Sequence, residues 1–353
     1  MSTHTAVVIT KPGTIDVIQV PTPAPGIGEV LIKVEYTSLI AFDTYMTDLG
    51  YFVQGYPVIP GFNASGTVSK LGEGVTDLVV GDRIVAACFG SFNSKGAQEY
   101  TVQPRFSISK LPDSISLEEA VTIPDNLITA FFTLFNQLFP AKEAPPLAST
   151  PFLVYGSGST SGQYTIQLLR AAGYTKILAT ASPKHHDYLK SIGATDTFDY
   201  NSPNLVNDVA KAVGGDGKVP VVVDCIAAEP SMKALANIVS PTGKVAILLP
   251  VKNSNTLTVK QVSEFTDLPE DNVPFARSVR LYGVRTFTVF QDPYLRDNLA
   301  PKIIPSLLET GIIKPNRLRL IDHGSFKERV LEGLDLLRNN KVSGEKVVIK
   351  VGA

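Results

Sequence analysis

The chain has 353 residues, of which 44% are hydrophobic and 18% charged, and its formal net charge at pH 7 is −1. This length and composition predict a globular, water-soluble protein of two domains, or of one large domain. The balanced charge gives no electrostatic drive toward nucleic acid or an anionic membrane. Two cysteines, Cys88 and Cys225, are too few for a disulfide framework, so a reducing compartment fits. Because no signal-peptide pattern or membrane-length apolar run is present, we expect a cytoplasmic protein.

The first third of the sequence is β-rich. Short strand-like runs are separated by Gly, Pro and Asp, at Ala6–Ile9, Ile15–Val20, Val30–Tyr36, Ala64–Leu71 and Arg83–Ala87. Runs of this length and spacing predict a small barrel or sandwich. A helical section begins at 118–121 and continues through 126–139, where apolar residues recur at helical spacing and predict a buried face.

Residues 151–200 have the pattern of one βαβ unit. The apolar run Phe152–Tyr155 leads into a turn of Gly and Ser, then an apolar-periodic segment, then a second apolar run at Ile177–Thr180. Strand, glycine-rich turn, helix and strand in this order are typical of a dinucleotide-binding unit. The turn brings backbone N–H groups to a helix N-terminus, where the helix dipole favours a pyrophosphate.

The glycines of this turn depart from the usual fingerprint. Gly156, Gly158 and Gly162 form G-x-G-x-x-x-G, which is one residue longer than G-x-G-x-x-G. Serine and threonine fill the other positions, and their hydroxyls are able to donate to phosphate oxygens. An ordinary Gly-Ser turn is the alternative. The flanking strand and helix favour cofactor binding over that alternative.

The end of the second strand predicts which dinucleotide is bound. An NAD site usually has Asp or Glu there for the ribose 2′-hydroxyl, but residues 181–185 read Ala-Ser-Pro-Lys-His and no acid precedes Asp187. Ser182 and Lys184 offer the donor and the positive charge that a 2′-phosphate needs, and Tyr200 is able to add a phenol. We therefore expect NADPH. The alternative is that Ser-Pro-Lys only begins a surface helix.

Beyond residue 151, strands alternate with helices. The strands are expected at Phe152–Tyr155, Ile177–Thr180, Thr197–Asp199, Val219–Cys225, Val245–Leu249 and Leu281–Val284. This β-α alternation predicts a doubly wound parallel sheet. The tail is expected to add a helix at Phe326–Leu337 and a strand at Lys346–Val351.

With these elements in order, nearly the whole sequence resembles the medium-chain dehydrogenase/reductase superfamily. An ordered set of motifs carries the resemblance: Gly26–Lys33, Asp43–Tyr45, Pro60–Gly66, Gly72–Arg83, the βαβ unit and Ser343–Lys350. The resemblance implies an α/β fold in which a GroES-like β-barrel domain covers 1–124 and 290–353. It also implies a Rossmann domain over 125–289, with a doubly wound parallel sheet that binds NADP.

Within that superfamily, the sequence is most similar to the zinc-free fungal trans-acting enoyl reductases of polyketide biosynthesis, of the lovastatin type. The similar segments are Tyr155–Gln167, Ser182-Pro183, Phe198–Tyr200, Pro203–Leu205, Asp224–Ile226 and Ser343–Lys346. One departure is Tyr45, which stands where the lovastatin-type enzyme has a lysine. The tract Asp43–Tyr45 instead resembles the quinone reductases, so the substrate stays open between the two groups.

The resemblance implies two sets of binding residues. The cofactor would be held by Gly158, Ser159, Thr160, Ser161, Ser182, Pro183, Lys184, His185, Tyr200, Leu248, Leu249, Val347 and Val348. The substrate channel would be lined by Asp125, Asn126, Leu127, Ile128, Thr129, Ala130, Phe131 and Phe132.

Zinc is not expected. Gly61-Phe62-Asn63 stands where the zinc-dependent relatives have Gly-His-Glu, and a structural zinc site needs four cysteines where this region has one. His185 and His186 lie beside the expected 2′-phosphate site. Without zinc there is no Lewis acid to polarise an alcohol, which argues against alcohol dehydrogenase chemistry.

The candidate catalytic residues are Tyr45 and Thr129. Reduction of an activated double bond needs a hydride at the β-carbon, stabilisation of the enolate oxygen and a proton at the α-carbon. A tyrosine is protonated at neutral pH and able to donate, although Tyr45 packing as a pocket wall is the alternative. Thr129 would orient the amide of the cofactor, or else bond to its own helix backbone. Cys225 is either a reactive thiol or a small buried hydrophobe.

Three functions remain open from the sequence. The first is an NADPH-dependent enoyl reductase that acts on an acyl thioester carried by a polyketide synthase. The second is a quinone or 2-alkenal reductase acting on free small molecules, and the third is a non-catalytic NADPH-binding protein. We expect a monomer over a homodimer paired through the last Rossmann strand near 281–288, because the Pro-containing segment 291–293 follows that strand and blunts its edge.

Overall fold

The computed structural model of the protein describes residues 2–140, 143–254, 268 and 273–352. The chain divides into two compact units. The first unit comprises Met1–Asp125 and Phe287–Ala353, and the second comprises Asn126–Thr286. The sequence-based boundaries were placed after residues 124 and 289.

The strands, in chain order, are β1 (Thr3–Lys11), β2 (Thr14–Pro21), β3 (Glu29–Leu39), β4 (Asn63–Leu71), β5 (Arg83–Ala87), β6 (Tyr100–Pro104), β7 (Ile108–Lys110), β8 (Phe152–Tyr155), β9 (Ile177–Thr180), β10 (Asp196–Phe198), β11 (Val219–Asp224), β12 (Val239–Leu248), β13 (Arg280–Val284), β14 (Leu318–Ile321) and β15 (Lys346–Lys350).

The helices are α1 (Ala41–Leu49), α2 (Leu117–Ala120), α3 (Pro124–Phe132), α4 (Thr160–Ala171), α5 (His186–Ser191), α6 (Leu205–Val213), α7 (Glu229–Ala236), α8 (Pro293–Asn298), α9 (Ile304–Glu309) and α10 (Phe326–Arg338). Within the described part of the chain, no helix combines the length and the apolar character needed to cross a membrane.

The first unit is built on β-sheet, as the sequence predicts. Its larger sheet has seven strands in the order β14-β15-β3-β4-β5-β7, with β6 also paired to β3. The long strand β3 pairs antiparallel with β4, β6 and β15. Strands β1 and β2 form a separate antiparallel pair. The tail therefore returns to the first unit through β15, whose residues Val347, Val348 and Ile349 are fully buried.

The second unit contains the predicted parallel sheet. Its six strands follow the order β10-β9-β8-β11-β12-β13, and every pairing in it is parallel. The apolar strand β8 lies between β9 and β11, and each of its side chains is buried. The strand order reverses direction at β8, and ligands bind outside the carboxyl ends of strands at such a reversal. The predicted doubly wound fold is confirmed.

The helical section around residue 130 differs from the prediction in its internal structure. In place of one helix over 126–139, α3 ends at Phe132 and wider π-helical turns span Thr133–Leu138. Of the predicted core face, Ile128, Phe132 and Leu138 are buried, whereas Phe131 and Phe135 are only half-buried. Helix α1 was not predicted from the sequence, although apolar residues recur at helical spacing along it, because its Asp43–Tyr45 tract was interpreted only as a family motif.

Helix α4 and the turn after β8 pack closely because residue 162 has no side chain. A Cβ built on Gly162 would lie 2.7 Å from Ser157 Cα and 2.8 Å from the Gly156 carbonyl oxygen. Those atoms belong to the backbone of the turn, so the clash cannot be relieved by a rotamer change.

We expect Gly162→Ala to destabilise the protein by about 1–3 kcal/mol, the typical cost of adding a methyl group to a closely packed site. Urea unfolding followed by circular dichroism measures the change. Gly55→Ala is the matched control, because a Cβ at Gly55 meets no atom within 4 Å, and we expect a change below about 1 kcal/mol there. Equal urea midpoints of unfolding for Gly162→Ala and Gly55→Ala would contradict this explanation of the packing.

Candidate functional site

Most of the predicted cofactor residues follow the carboxyl ends of neighbouring strands in the second unit. The loop 158–161 follows β8, the segment 182–185 follows β9, and Tyr200 lies just beyond β10. Leu248 is the last residue of β12, and Leu249 donates its backbone N–H to Val284. Because parallel strands end at the same edge of a sheet, these four segments lie along one edge.

The turn after β8 is held by strand β9. The Gly156 N–H donates to Thr180 Oγ1 at 3.0 Å, and the Ser157 N–H donates to the Thr180 carbonyl at 2.8 Å. The Ser157 hydroxyl, which is fully buried, donates back to Val154. Gly156 has a φ of 77°, a left-handed conformation that glycine adopts without strain. The turn is thereby fixed at the end of the strand, ahead of the first turn of α4.

Helix α4 begins at a polar N-terminus. Ser159 is its N-cap and accepts a hydrogen bond from the Gly162 N–H at 3.1 Å. The amides of Thr160 and Ser161, at the first two helical positions, have no acceptor within the helix, so they and the helix dipole favour an anion. The side chain of Asn126 donates to Ser161 Oγ at 2.9 Å and accepts from Thr160 Oγ1 at 2.8 Å. Asn126, predicted to line the substrate channel, thus contacts the predicted cofactor loop.

The predicted 2′-phosphate segment lies beside this loop. Ser182 is half-buried, Pro183 and Lys184 are exposed, and His185 is buried. A Cβ built on Gly158 would lie 3.5 Å from the His185 ring, so the loop and this segment are neighbours.

Tyr200 adds an exposed phenol at the same edge, with 39% of its side chain accessible. No carboxylate precedes Asp187 in the segment that follows β9, so the edge offers an ammonium and a hydroxyl where an NAD site would offer an acid.

Asp224 and Cys225 occupy the end of β11. The Asp224 carboxylate accepts from the Ile226 and Ala227 N–H groups and from Ser231 Oγ, so it organises the turn into α7. Burial raises the pKa of Asp224 and also that of the half-buried Cys225 thiol, which the neighbouring Asp224 carboxylate raises further. A neutral thiol in such surroundings supports the structural alternative for Cys225.

Helix α3 carries the residues predicted to line the substrate channel. Leu127 and Ile128 are fully buried, Ala130 and Phe132 nearly so, and Phe131 is half-buried. The Thr129 hydroxyl lies 2.9 Å from the Thr286 hydroxyl, and either is able to donate. Thr129 is therefore held by a tertiary contact as well as by its helix. The channel itself stays a prediction.

In the first unit, α1 positions the candidate donor Tyr45. Asp43 at its start accepts hydrogen bonds from the Ile40 N–H and the Gly61 N–H, both at 2.8 Å. These bonds join the helix to the segment before β4. Burial raises the pKa of Asp43 to about 6 and raises that of Tyr45 above its ordinary value. Tyr45 is 5% exposed, and its phenol is protonated at neutral pH.

Residues 61–63, expected to replace a zinc-binding tract, make other contacts. The Asn63 side chain donates to Ser38 Oγ at 2.9 Å and accepts from the Asp125 N–H at 3.0 Å. The Lys95 ammonium lies 4.1 Å from the centre of the Phe62 ring and donates to the Cys88 carbonyl at 3.2 Å. Burial lowers the pKa of Lys95 to about 8. Among the described residues, no three or more His, Cys, Asp or Glu side chains are grouped to hold a metal.

A buried ion pair joins the C-terminal strand to the start of α3. Lys346 Nζ lies 2.8 and 2.9 Å from the two carboxylate oxygens of Asp125, and the side chains are only 2% and 5% exposed. Asp125, which the sequence assigned to the substrate channel, is thereby engaged by the first residue of β15. Val347 and Val348, predicted to contact the cofactor, follow Lys346 in the core of the first unit, and that role stays a prediction.

Three of these features were not predicted from the sequence: the buried Lys95, the Lys346–Asp125 pair and the Asn126 bridge. A lysine is almost never fully buried unless its charge is paired. The sequence signal for Lys346 was present in the motif Ser343–Lys350, but nothing local indicated its partner. The two residues of that pair are separated by 221 positions in the chain.

We expect a pH-dependent stability contribution from Lys95. Its folded pKa of about 8 lies below the value near 10.4 that an unfolded lysine has. Between these values the unfolded chain holds a proton that the folded chain does not, so the penalty for burying the ammonium is relieved as pH rises. Relative to Lys95→Met, the wild-type unfolding free energy should rise by roughly 2–3 kcal/mol from pH 8 to pH 10.

Urea unfolding at pH 8, 9 and 10 measures this difference. Lys70→Met is the control, because Lys70 is exposed on β4. The unfolding free energy of this variant should depend on pH as it does in the wild type. Parallel profiles for the wild type and Lys95→Met would contradict the burial penalty.

Comparison with known families and proteins agrees with this two-part arrangement. Residues 26–127 match the alcohol dehydrogenase GroES-like domain, and residues 162–268 match the zinc-binding dehydrogenase family. The GroES-like match falls in the first unit for all but its last residues, and the second match falls within the second unit.

Solved structures share the fold over almost the whole chain. CurK enoyl reductase superposes with a TM-score of 0.79 at 18% identity, covering 99% of each chain. A mycobacterial protein solved in complex with NADPH superposes with a TM-score of 0.75 at 22% identity, covering 99% of this chain and 100% of that one. At these identities the likeness concerns the fold.

Curated relatives give the family. Trans-enoyl reductase himH of Aspergillus japonicus is 32% identical over 92% of this chain and 90% of its own length. Trans-enoyl reductase pvhC of Talaromyces variabilis is 32% identical over 94% of this chain and 93% of its own length. The chain therefore belongs to the trans-enoyl reductase family of the medium-chain dehydrogenase/reductase superfamily, a group of oxidoreductases that bind a nicotinamide cofactor.

Proposed function

We propose that this protein is an NADPH-dependent reductase that saturates the activated carbon–carbon double bond of an enoyl thioester without a metal. The observation that carries the proposal is the edge of the parallel sheet, where a serine-rich helix N-terminus is followed by Ser182 and Lys184 in place of an acid. Membership in the trans-enoyl reductase family supports the same reaction.

The residues at this edge fit a dinucleotide phosphate. The turn approaches α4 closely at Gly162 and leaves room beside Gly158, where an added Cβ would meet only ordinary contacts at 3.5 and 3.8 Å. The first-turn amides of α4 with Ser159 and Thr160 would hold the pyrophosphate. Ser182, Lys184, His185 and Tyr200 would hold the 2′-phosphate. When bound, NADPH supplies the hydride for the β-carbon.

The chain itself would supply the proton and steady the developing negative charge. Burial keeps the Tyr45 phenol protonated, so it is able to donate a hydrogen bond or a proton. Thr129 is the second candidate, and its hydroxyl is already shared with Thr286. Phe62 has no atom that ligates a metal, and the Asn63 amide is engaged by Ser38 and Asp125. The proposal therefore assigns the stabilisation of charge to hydrogen-bond donors.

We further propose a carrier-bound acyl thioester as the substrate and a polyketide synthase as the partner, as the sequence resemblance implies. A protein that visits a partner's carrier domain gains from an open site, and the proposal includes the monomeric state. The cytoplasmic location stays a prediction.

NADPH consumption with defined acceptors tests the function. We expect turnover with crotonyl-pantetheine, with the saturated thioester as product, and little turnover with 1,4-benzoquinone or 2-hexenal. Dialysis against a strong chelator should leave the rate of NADPH consumption unchanged. Turnover with quinone alone would show that the protein is a quinone reductase. No turnover with any acceptor would show that it is a non-catalytic NADPH-binding protein. Activity that is lost on dialysis and restored by zinc would overturn the metal-free mechanism.

Lys184→Ala should weaken NADPH binding by roughly 1–3 kcal/mol, the range for losing a charge-assisted contact to phosphate. NADH affinity should barely change, because NADH lacks the 2′-phosphate. Fluorescence titration of both cofactors measures the effect, and Lys190→Ala is the control, since Lys190 is exposed on the following helix. Equal losses for NADPH and NADH would remove Lys184 from the 2′-phosphate site.

Tyr45→Phe removes one hydroxyl and little volume. If Tyr45 donates to the substrate, kcat with a saturating enoyl thioester should fall by about 10²–10⁴-fold, while NADPH affinity is retained. Tyr56→Phe is the control, because Tyr56 is a 40% exposed tyrosine of the same unit. A nearly silent Tyr45→Phe, together with a large loss in Thr129→Val, would transfer the role to Thr129.

A further inference from the structure

A row of phenylalanine rings lies on the first unit. Phe52 stacks on Phe287 with the ring centroids 5.9 Å apart, and Phe287 meets Phe89 edge-on at 5.0 Å. Phe89 lies 6.1 Å from Phe290, which lies 5.1 Å from Phe106. We call these five rings the phenylalanine row. Phe52 is 59% exposed and the other four are half-buried, so the row presents apolar surface to solvent.

The row is assembled from separate parts of the chain. Phe287 and Phe290 stand three residues apart on one 3₁₀ segment, Thr286–Gln291, and side chains at that spacing point the same way. Phe52 lies in a turn after α1, Phe89 in the segment after β5, and Phe106 in a short 3₁₀ segment, Arg105–Ser107. A contiguous apolar patch on a protein surface often marks a binding site, whereas single exposed apolar residues are ordinary.

The row is anchored on a buried ring that also touches the candidate donor. Phe42 is 7% exposed and meets Phe52 at 6.0 Å and Phe287 at 5.4 Å, both edge-on. The same ring lies 6.3 Å from the ring of Tyr45, one helical turn further along α1. A single buried side chain therefore links the exposed row to the residue proposed to donate to the substrate.

The backbone at Phe52 holds the ring outward. Its φ is 62°, a left-handed conformation that a bulky residue rarely adopts and that is found preferentially at ligand-binding sites. Hydrogen bonds on both sides fix it, from the Tyr51 N–H to the Tyr45 carbonyl and from the Val53 N–H to the Gly50 carbonyl.

We propose that the phenylalanine row binds the apolar acyl chain of the thioester substrate and sets a preference for long chains. The inference rests on the proposed enoyl reductase function and extends it to the substrate class. Because Phe42 joins the Phe52–Phe287 pair to Tyr45, the acyl chain would lie along the phenylalanine row, with its reacting end at Tyr45 and its far end pointing away from it. Each methylene group laid on the row should tighten binding by roughly fourfold, as burial of apolar surface does.

Calorimetric titration of saturated acyl-pantetheines of four, eight and twelve carbons tests the proposal without requiring turnover. We expect wild-type affinity to rise steeply with chain length. Phe52→Ala and Phe290→Ala should each lower the ratio of dodecanoyl to butyryl affinity by about tenfold. Tyr294→Ala is the matched control, because Tyr294 is a 66% exposed ring on α8 that lies outside the row, and its ratio should match the wild type.

Thermal unfolding of each variant establishes that it is folded before its affinity is compared. A chain-length dependence that is flat in the wild type, or unchanged in both row variants, overturns the proposal. Light scattering that finds a dimer in the wild type and a monomer in Phe52→Ala would assign the row to a second copy of the chain. If crotonyl-pantetheine is not reduced but the acyl-pantetheines bind with the expected length dependence, the function fails and the acyl site stands.

Discussion

The close packing of α4 against the turn after β8 is the constraint on which the cofactor end of the second unit depends. Gly162 lets the helix start within contact distance of the Gly156 and Ser157 backbone, and Thr180 holds the same turn from the neighbouring strand. The first-turn amides of α4 consequently lie at the carboxyl edge of the sheet, beside the segment that follows β9. Although the glycine pattern is one residue longer than the usual fingerprint, its third glycine still meets the backbone of the turn, as the third glycine of that fingerprint does.

The first unit depends on a different kind of interaction, the contacts of buried charged side chains. Lys346 and Asp125 tie the last strand to the start of α3, while Asp43 ties α1 to the segment that leads into β4. Lys95 fills the space beside Phe62 with an ammonium whose charge burial disfavours. The Asp43 hydrogen bonds hold the start of α1, the helix that carries both Tyr45 and the Phe42 ring that supports the phenylalanine row.

Local patterns explain what the sequence predicted well. The strands Phe152–Tyr155 and Ile177–Thr180 were predicted with the observed bounds, because each is a short, continuous apolar run flanked by Gly, Pro or polar residues. The location of the predicted cofactor residues followed from these strands, because the segments that come after parallel strands all lie at the carboxyl edge of the sheet. Helix α1 was not predicted, although its nine residues carry apolar side chains at helical spacing, because the Asp43–Tyr45 tract within it was interpreted as a family motif. Asn126, Lys95 and the phenylalanine row depend on residues far apart in sequence, for which a single sequence carries no pairing signal.

Isotope tracing tests the central claim most directly. Crotonyl-pantetheine would be reduced with NADPH carrying deuterium at the transferable position of the nicotinamide ring, and the product would be examined by nuclear magnetic resonance. The account predicts one deuterium at the β-carbon and a hydrogen from solvent at the α-carbon. Deuterium at the α-carbon, or a reduced carbonyl in place of the saturated thioester, would contradict it.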